Sequence, residues 1–485
     1  MKLIPTWLLL IIPSIIFGQF QFSSQIQIDN SEGIKKSIFT CDVDDDGSED
    51  ILSIVSGSTI AWFNNVDGNG TFSSQKIITN TATELSSLYP IDIDGDNDID
   101  VISGENELVS NNGTLEEIGK ICLYENTDGE GTFAPRKVIS SSMKNIWCVR
   151  AADLDNDSDN DIVSASHYDD KIAWYENTDG KGSFSSQIVL NTSAVQATFV
   201  STGDLDGDND LDILSSCRHY DNLVWYENTN NTFSAPITIT SEAENTRCIY
   251  AVDIDNDNDL DVLASSWDPN IVFWYENIDG IGEFGNQQII SEQTSGKIIP
   301  IDFDLDGDLD ILSKKSKDIY LHENIVETES FVSHKIITCE TTSPQSIYAN
   351  DLDADGDIDI IAGISDELYW FKNLTNITSA QESESELLNK FRLYPNYPNP
   401  FNPSTTIRFT LQKSEHISLK IYNVVGREVA ELINGVRSAG EHQVLWQADG
   451  LPSGMSSKGR YASGVYFYQI KAGEHTQTKK MLLLR

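Results

Sequence analysis

Positive charge is scarce in this chain. In 485 residues, 32 Lys and Arg stand against 76 Asp and Glu, a formal charge of −44 and a pI near 4.2. Such a surface repels phosphate backbones, which excludes nucleic acid as a partner. Long apolar runs are scarce as well. The run from Trp7 to Phe17, after Met1-Lys2-Leu3, is too short to span a bilayer and ends at Gly18-Gln19. It is expected to be a secretory signal peptide, residues 1–18, with Ile16 an unusual residue three before the cut. No later segment is long and apolar enough for a transmembrane helix, so the mature protein is expected to be exported and soluble. Cysteines number six (Cys41, Cys122, Cys148, Cys217, Cys248, Cys339), mostly at unrelated offsets and with no Cys-x-x-Cys pair. That spacing argues against a disulfide framework and a thiolate metal site, leaving free, buried thiols. A nucleophile elbow, an HExxH pair and a phosphate loop are all missing.

Aromatic and β-branched residues are plentiful. The chain is 39% hydrophobic, with 9 Trp, 17 Tyr and 19 Phe, enough to build cores, so the acid is expected in localised sites. Seven times a nine-residue phrase places Asp at positions 1, 3, 5 and 9 before an apolar run, starting at Asp42, Asp92, Asp153, Asp204, Asp253, Asp302 and Asp351. By subtraction the copies lie 50, 61, 51, 49, 49 and 49 residues apart.

Each phrase sits in a longer unit, plainest in the third copy. Trp147-Cys148-Val149-Arg150-Ala151-Ala152 leads into the Asp loop. Ile162-Val163-Ser164-Ala165-Ser166, then Ile172-Ala173-Trp174-Tyr175-Glu176-Asn177 and Phe184 to Leu190 follow, separated by Gly/Asn/Asp turns. These read as four short antiparallel strands, with no helical periodicity competing. The third strand recurs at Trp62, Leu123, Trp174, Trp225, Trp274, Leu321 and Trp370, and its aromatics are expected to pack between neighbouring sheets. Four-stranded units repeated at this period predict an all-β fold: a seven-bladed β-propeller with Asp-rich calcium loops. Outer strands begin at Phe72, Phe133, Phe184, Phe233, Phe284 and Phe331, one too few. Phe22-Ser23-Ser24-Gln25-Ile26 stands alone near the start, so residues 20–28 are expected to close the last blade.

In such a turn, positions 1, 3 and 5 aim at one centre, and Gly or Asn at position 6 permits the left-handed bend that brings in position 9. The candidate ligands are Asp42, Asp44, Asp46 and Asp50; Asp92, Asp94, Asp96 and Asp100; Asp153, Asp155, Asp157 and Asp161; Asp204, Asp206, Asp208 and Asp212; Asp253, Asp255, Asp257 and Asp261; Asp302, Asp304, Asp306 and Asp310; Asp351, Asp353, Asp355 and Asp359. Oxygen-only donors suit Ca2+ better than Mg2+ or Zn2+. Asx-turns alone use the same residues. However, four carboxylates within about 5 Å make six repulsive pairs, each costing roughly 1 kcal/mol even in water. Uncompensated loops of that kind would strain a domain stable by only about 5–15 kcal/mol. Several structural calcium ions are therefore expected, with Ser158 marking the weakest loop because serine is a poor left-handed residue.

The Asp phrase, with the Trp-Tyr-Glu-Asn and Asp-Gly-x-Gly-x-Phe strings, resembles the FG-GAP/VCBS-type repeats of integrin α-subunit propellers and many secreted bacterial proteins, over about residues 20–373. The resemblance implies structural calcium sites on one face of the propeller, not catalytic ones.

After Asn373 the pattern changes. Residues 374–392 form an acidic linker around Ser379 to Glu386, and alternating runs in 393–485 predict a small Ig-like β-sandwich. Pro398-Asn399-Pro400, Ile421-Tyr422-Asn423-Val424-Val425-Gly426-Arg427-Glu428-Val429, Leu451-Pro452-Ser453-Gly454, Gly464-Val465-Tyr466 and a basic end carry a second resemblance. They are similar to the type A sorting domain of the type IX secretion system, with residues 455–464 as an insertion before the last motif. The resemblance implies passage through the periplasm, handling by the type IX machinery, and release from, or display on, the outer membrane.

Function is expected on the propeller face away from the Asp loops. His167-Tyr168, His219-Tyr220 and Trp267 sit on turns of three consecutive blades, with Trp147 and Arg247 entering from inner strands. Together they suit an extracellular glycan or protein ligand, so the expectation is a non-catalytic binding or adhesion module. The alternative is an extracellular hydrolase or lyase using a His167/His219 pair. The remaining histidines fall in strands (His322, His334) or in the C-terminal segment (His416, His442, His475).

Overall fold

A computed structural model of the chain describes residues 20–31, 33, 35–111, 114–218, 222–292, 294, 296–328, 330–375, 392–393, 404–411, 413–423, 427–438, 440–448, 464–472 and 475–483. The expected signal peptide and most of the acidic linker lie outside these residues. Two compact units result, one of Gln19–Thr375 and one containing Asn376–Arg485. Among the described residues the structure is all-β, with one 3-10 turn at Val326–Thr328 and no α-helix.

Seven four-stranded antiparallel sheets make up the first unit. In chain order the first six are Lys36–Cys41, Asp50–Ser56, Thr59–Phe63 and Lys76–Thr79; Glu84–Ile91, Asp100–Asn111, Thr114–Tyr124 and Lys137–Met143; Ile146–Ala152, Asp161–Ser166, Lys171–Tyr175 and Ile188–Asn191; Ala197–Gly203, Asp212–Cys217, Asn222–Tyr226 and Ile237–Thr240; Thr246–Val252, Asp261–Ser266, Val272–Tyr275 and Gln288–Ser291; and Ile299–Ile301, Asp310–Lys315, Asp318–Ile325 and Ser330–Thr338. The seventh takes Pro344–Asn350, Asp359–Ile364 and Glu367–Phe371, and its outer strand is Ile26–Asp29 from the other end of the unit. There Ile26 pairs with Trp370 and Gln27 with Tyr369. The 61-residue interval between the second and third Asp loops is explained by the long hairpin Asp100–Asn111 and Thr114–Tyr124.

The second strands, such as Asp161–Ser166 and Asp261–Ser266, are buried along their whole length. Both of their faces are covered by neighbouring sheets, so they read as continuous apolar or small-residue runs without alternation. The aromatic stripe lies at those interfaces. Trp62 is 1% exposed, and a Cβ on Gly131 of the next sheet would lie 2.2 Å from its ring. Gly70 meets Trp370 and Gly282 meets Trp225 in the same way. These hairpin glycines have φ of +82°, +81° and +88° at Gly70, Gly131 and Gly282, so their position demands glycine twice, for its backbone and for the close approach. The Asp-Gly-x-Gly string is thus an inter-sheet contact as well as a turn.

The second unit holds two antiparallel sheets, one of Arg392–Leu393, Ser404–Leu411 and Gly440–Gln447, the other of Glu428–Arg437, Glu415–Asn423, Gly464–Ala472 and His475–Leu483. Their shared core includes Ile407, Phe409, Leu419, Ile421, Trp446, Tyr468, Ile470 and Met481. The six cysteines are free thiols, all buried but for the half-buried Cys41.

Candidate cation loops and the opposite face

Every Asp loop closes by the same local bonds. The first Asp accepts from the backbone N–H of position 6: Gly47 to Asp42 at 2.8 Å, Asn97 to Asp92 at 3.0 Å, Ser158 to Asp153 at 3.0 Å, and Gly307 to Asp302 at 3.1 Å, for example. Position 6 is left-handed in all seven copies, including Ser158 at φ 78°. The ninth Asp is wholly buried in most copies and has a second task. One oxygen of Asp50 accepts from the N–H of Asn65 in the third strand at 2.7 Å, and the other accepts from Val43 at 3.1 Å. Asp100 repeats this with Asn126 and Ile93, Asp212 with Asn228 and Leu205, and Asp310 with Asn324 and Phe303.

The carboxylates converge. Oxygens of Asp42, Asp44 and Asp50 lie within 4.8 Å of one another, as do those of Asp92, Asp94 and Asp96; Asp153, Asp155 and Asp157; Asp204, Asp206 and Asp212; and Asp253, Asp255 and Asp261. Buried oxygens of Asp44, Asp94, Asp155, Asp253, Asp302, Asp351 and Asp353 have no hydrogen-bond partner. A buried carboxylate oxygen without a partner is costly, and a hard cation at the centre of each loop supplies one. The donor set therefore fits Ca2+.

The loop carboxylates resist ionisation. Burial, reinforced by the neighbouring Asp96 and Asp157, raises Asp94 and Asp155 to about 6. Burial likewise raises Asp50, Asp100, Asp161, Asp212, Asp261 and Asp359 to about 7, and Asp310 to about 8. A third-strand glutamate adds to the field at position 3 in five sheets: Glu125 on Asp94, Glu176 on Asp155, Glu227 on Asp206, Glu276 on Asp255 and Glu323 on Asp304. The first and seventh sheets differ. Asn64 stands at that place in the first and donates to Asp44. In the seventh it is Lys372, ion-paired to Asp353 and 3.1 Å from Asp355.

In six of the seven sheets the Asn that ends the third strand locks the sheet to the one before. Its side-chain N–H donates to the carbonyl of loop position 2 in the preceding sheet: Asn126 to Val43 at 3.0 Å, Asn177 to Ile93 at 2.8 Å, Asn228 to Leu154 at 2.8 Å, Asn277 to Leu205 at 2.8 Å and Asn324 to Ile254 at 2.7 Å. Asn65 reaches Leu352 at 2.8 Å and so joins the first sheet to the seventh. Sequence reading placed these asparagines in an aromatic packing strand and missed this bond, although their fixed place in every copy was the available signal.

On the opposite face, Trp147 of the inner strand Ile146–Ala152 stacks on His167, which follows the second strand, with centroids 4.7 Å apart. His167 is 6% exposed and neither ring nitrogen has a partner. The Arg247 guanidinium lies 4.4 Å from the Trp267 ring and 5.3 Å from the Trp147 ring, with Nε unbonded. Burial, then the nearby Arg218, lowers Arg247 from its usual value, and burial with the same two arginines' charge lowers His167. Trp267 and Tyr168 are exposed. Trp267 also borders a cavity of about 470 Å³ lined by Asn270, Glu292, Lys314 and Lys315. The structure thus brings Trp147, His167, Arg247 and Trp267 together, while His219 and Tyr220 lie outside the described residues.

Fold and loops together define an all-β propeller. The FG-GAP-like repeat model matches residues 42–103, 153–215, 204–264 and 253–313, and the secretion system C-terminal sorting domain matches 396–455. The chain therefore carries FG-GAP-like repeats and a type IX sorting domain, which assigns it to the type IX machinery and to the outer-membrane surface or the extracellular space. No curated protein matches the sequence. Among solved structures it is similar to BBS1N in complex with ARL6DN, at 11% identity and TM-score 0.51, over 74% of this chain and 98% of that one. A lectin of Agrocybe aegerita that recognises non-reducing terminal N-acetylglucosamine aligns at 16% identity and TM-score 0.47, over 69% and 87%. At such identities the likeness to BBS1N concerns the fold alone.

Proposed function

We propose that the chain is a secreted or surface-displayed, calcium-stabilised propeller that binds an extracellular ligand without catalysing a reaction. In this reading residues 19–373 are the binding unit and 393–485 serve export. Calcium takes the aspartates of the loops and holds that face rigid, a reading supported by the unpartnered buried oxygens. Recognition falls to the opposite face.

One observation carries the binding reading: Arg247 lies between the Trp147 and Trp267 rings with Nε unbonded, beside a buried His167 whose nitrogens are also free. Burial and Arg218 act on Arg247, and among the described residues no carboxylate neutralises it. In a chain of charge −44 this is a place for an acid group next to an apolar platform, as an acidic sugar presents. Exposed Trp267 supplies the face for the sugar ring. The test is a glycan and matrix-protein array probed with the wild type and with the His167→Ala/Trp267→Ala double variant. The double variant is expected to lose binding to acidic glycans while its melting temperature stays within a few degrees. Undiminished binding by the variant removes this face from consideration.

A further inference from the structure

The seventh Asp loop is built differently from the other six. Its sheet is the one that closes the ring, with Ile26–Asp29 paired to Glu367–Phe371. Where five sheets place a glutamate opposite loop position 3, this one places Lys372. The Lys372 ammonium is ion-paired to Asp353, whose side chain is 4% exposed, and lies 3.1 Å from Asp355, so it touches positions 3 and 5 of the loop. These are two of the oxygens a metal would take.

Nothing equivalent occurs elsewhere among the described residues. In the first sheet Lys76 comes only to 3.8 Å of Asp44, is 45% exposed, and rests over the Trp62 ring at 3.9 Å. That lysine can swing aside at little cost. Lys372 is tethered on both sides of its backbone: its N–H donates to Ser23 Oγ at 3.0 Å and its carbonyl accepts from the Ser23 N–H at 2.8 Å. The incoming N-terminal segment therefore fixes the residue that enters the loop.

We infer that Lys372 is a built-in cation whose charge takes the place of calcium beside the Asp351 and Asp353 oxygens that lack a hydrogen-bond partner, so that the ring-closing sheet needs no metal. The physical reason is charge. A divalent ion entering this loop must displace an ammonium from a buried carboxylate and then share the site with it, whereas in the second to sixth loops an added glutamate reinforces the attraction. Ring closure is thereby uncoupled from the calcium concentration, while the other sheets remain sensitive to it.

This inference rests on the reading that the loops bind calcium, and the experiment separates the two. Calcium is counted by isothermal titration and native mass spectrometry on the full chain, as wild type, Lys372→Glu and Asp355→Asn. Six ions are expected in the wild type, seven in Lys372→Glu and still six in Asp355→Asn, whose exposed side chain leaves folding intact. Loss of one ion in Asp355→Asn, or equal counts in the wild type and Lys372→Glu, overturns the inference and leaves the calcium reading standing. No ion in any of the three overturns both. If Lys372→Glu fails to fold, the Asp355→Asn arm decides alone. Hydrogen exchange in excess chelator gives a second readout: Asp359–Ile364 and Glu367–Phe371 are expected to stay protected while Asp161–Ser166 and Asp212–Cys217 lose protection at least tenfold. Uniform loss across all of these strands counts against Lys372.

Discussion

Replacing Asn65 by Ala should open one seam of the propeller and leave its sheets intact. Asn65 is 1% exposed. Its side chain donates to the Leu352 carbonyl at 2.8 Å and to Glu49 at 3.3 Å, and accepts from Gly70 at 3.0 Å. The bond from its backbone N–H to Asp50 survives the substitution. Alanine leaves the Leu352 carbonyl with no donor at a dry interface, at a cost of about 1–3 kcal/mol for a buried unpaired group. The Gly70 N–H is half-exposed and finds water, so it adds less. A loss of about 2–4 kcal/mol follows, which in a domain of this size lowers the melting temperature on the order of 4–8 °C. The matched control is Asn373→Ala. Asn373 donates to Ile358 of its own sheet, at 3.1 Å, and has no partner across the seam. Both variants should melt lower, but only Asn65→Ala should speed hydrogen exchange in Lys36–Cys41 and Pro344–Asn350 together, the strands flanking the seam. A melting temperature within about 1 °C of the wild type, or equal exchange at that seam in the two variants, would refute the inter-sheet bond as a source of stability.

Excess chelator is expected to lower the melting temperature by several degrees, because an ion bound only to the native state stabilises it by mass action; an unchanged melt excludes structural metal. In chelator the pH trend should be unusual. The ninth aspartates sit at about 7, and Asp310 at about 8, against 3.8 when unfolded, so the native chain binds more protons and gains stability as pH falls from about 8 to about 6. Calcium should reverse the slope, since protons then compete with the ion, and parallel melting curves in the two conditions would contradict this. Deleting residues 20–28 should expose the Glu367–Phe371 edge and produce concentration-dependent association by light scattering; a monodisperse deletion variant with a wild-type melt would show that the strand is dispensable.

The loops were legible because their chemistry is local. Four aspartates in nine residues converge whatever surrounds them, and the 49-to-61-residue period follows from one strand unit repeated. Residues such as Trp62 and Trp370 were legible as packing for the same reason. Bonds between distant positions were not. Asn65 and Leu352 are 287 residues apart, so nothing in the neighbourhood of either announces the partner. That Trp147 and Arg247 enter the face carrying Trp267 was legible from the strand order, but the guanidinium lying between the two rings depends on two inner strands and a turn placed in space, which spacing does not supply. Ser158 shows the converse. Its residue type argues against a left-handed turn, yet Asp153 accepts its N–H at 3.0 Å and holds it at φ 78°. One bond of about 1 kcal/mol is comparable to the backbone penalty, so the loop geometry wins over the residue preference.

The seventh sheet departs from the repeat in three ways, and the departures have one cause. Asn373 makes no bond to Phe303, although its counterparts in the six other sheets each bond the residue at that place in their preceding loop. Lys372 replaces the acid found in five of them. Its outer strand comes from the opposite end of the unit. Phe20 and Phe22 of that incoming segment pack on the Phe303 ring, with centroids 5.5 Å and 6.3 Å apart. Ser23 holds Lys372 at both backbone atoms. Ring closure itself keeps the asparagine bond, from Asn65 to Leu352 at 2.8 Å, so it is the seam between the sixth and seventh sheets that exchanges it for aromatic packing from the N-terminal segment. The packing on Phe303 and the tether on Lys372 both come from residues 20–23, which ties these departures to the borrowed strand. The chemistry of the closing sheet is therefore the chemistry of closure, while the other six sheets carry that of propagation.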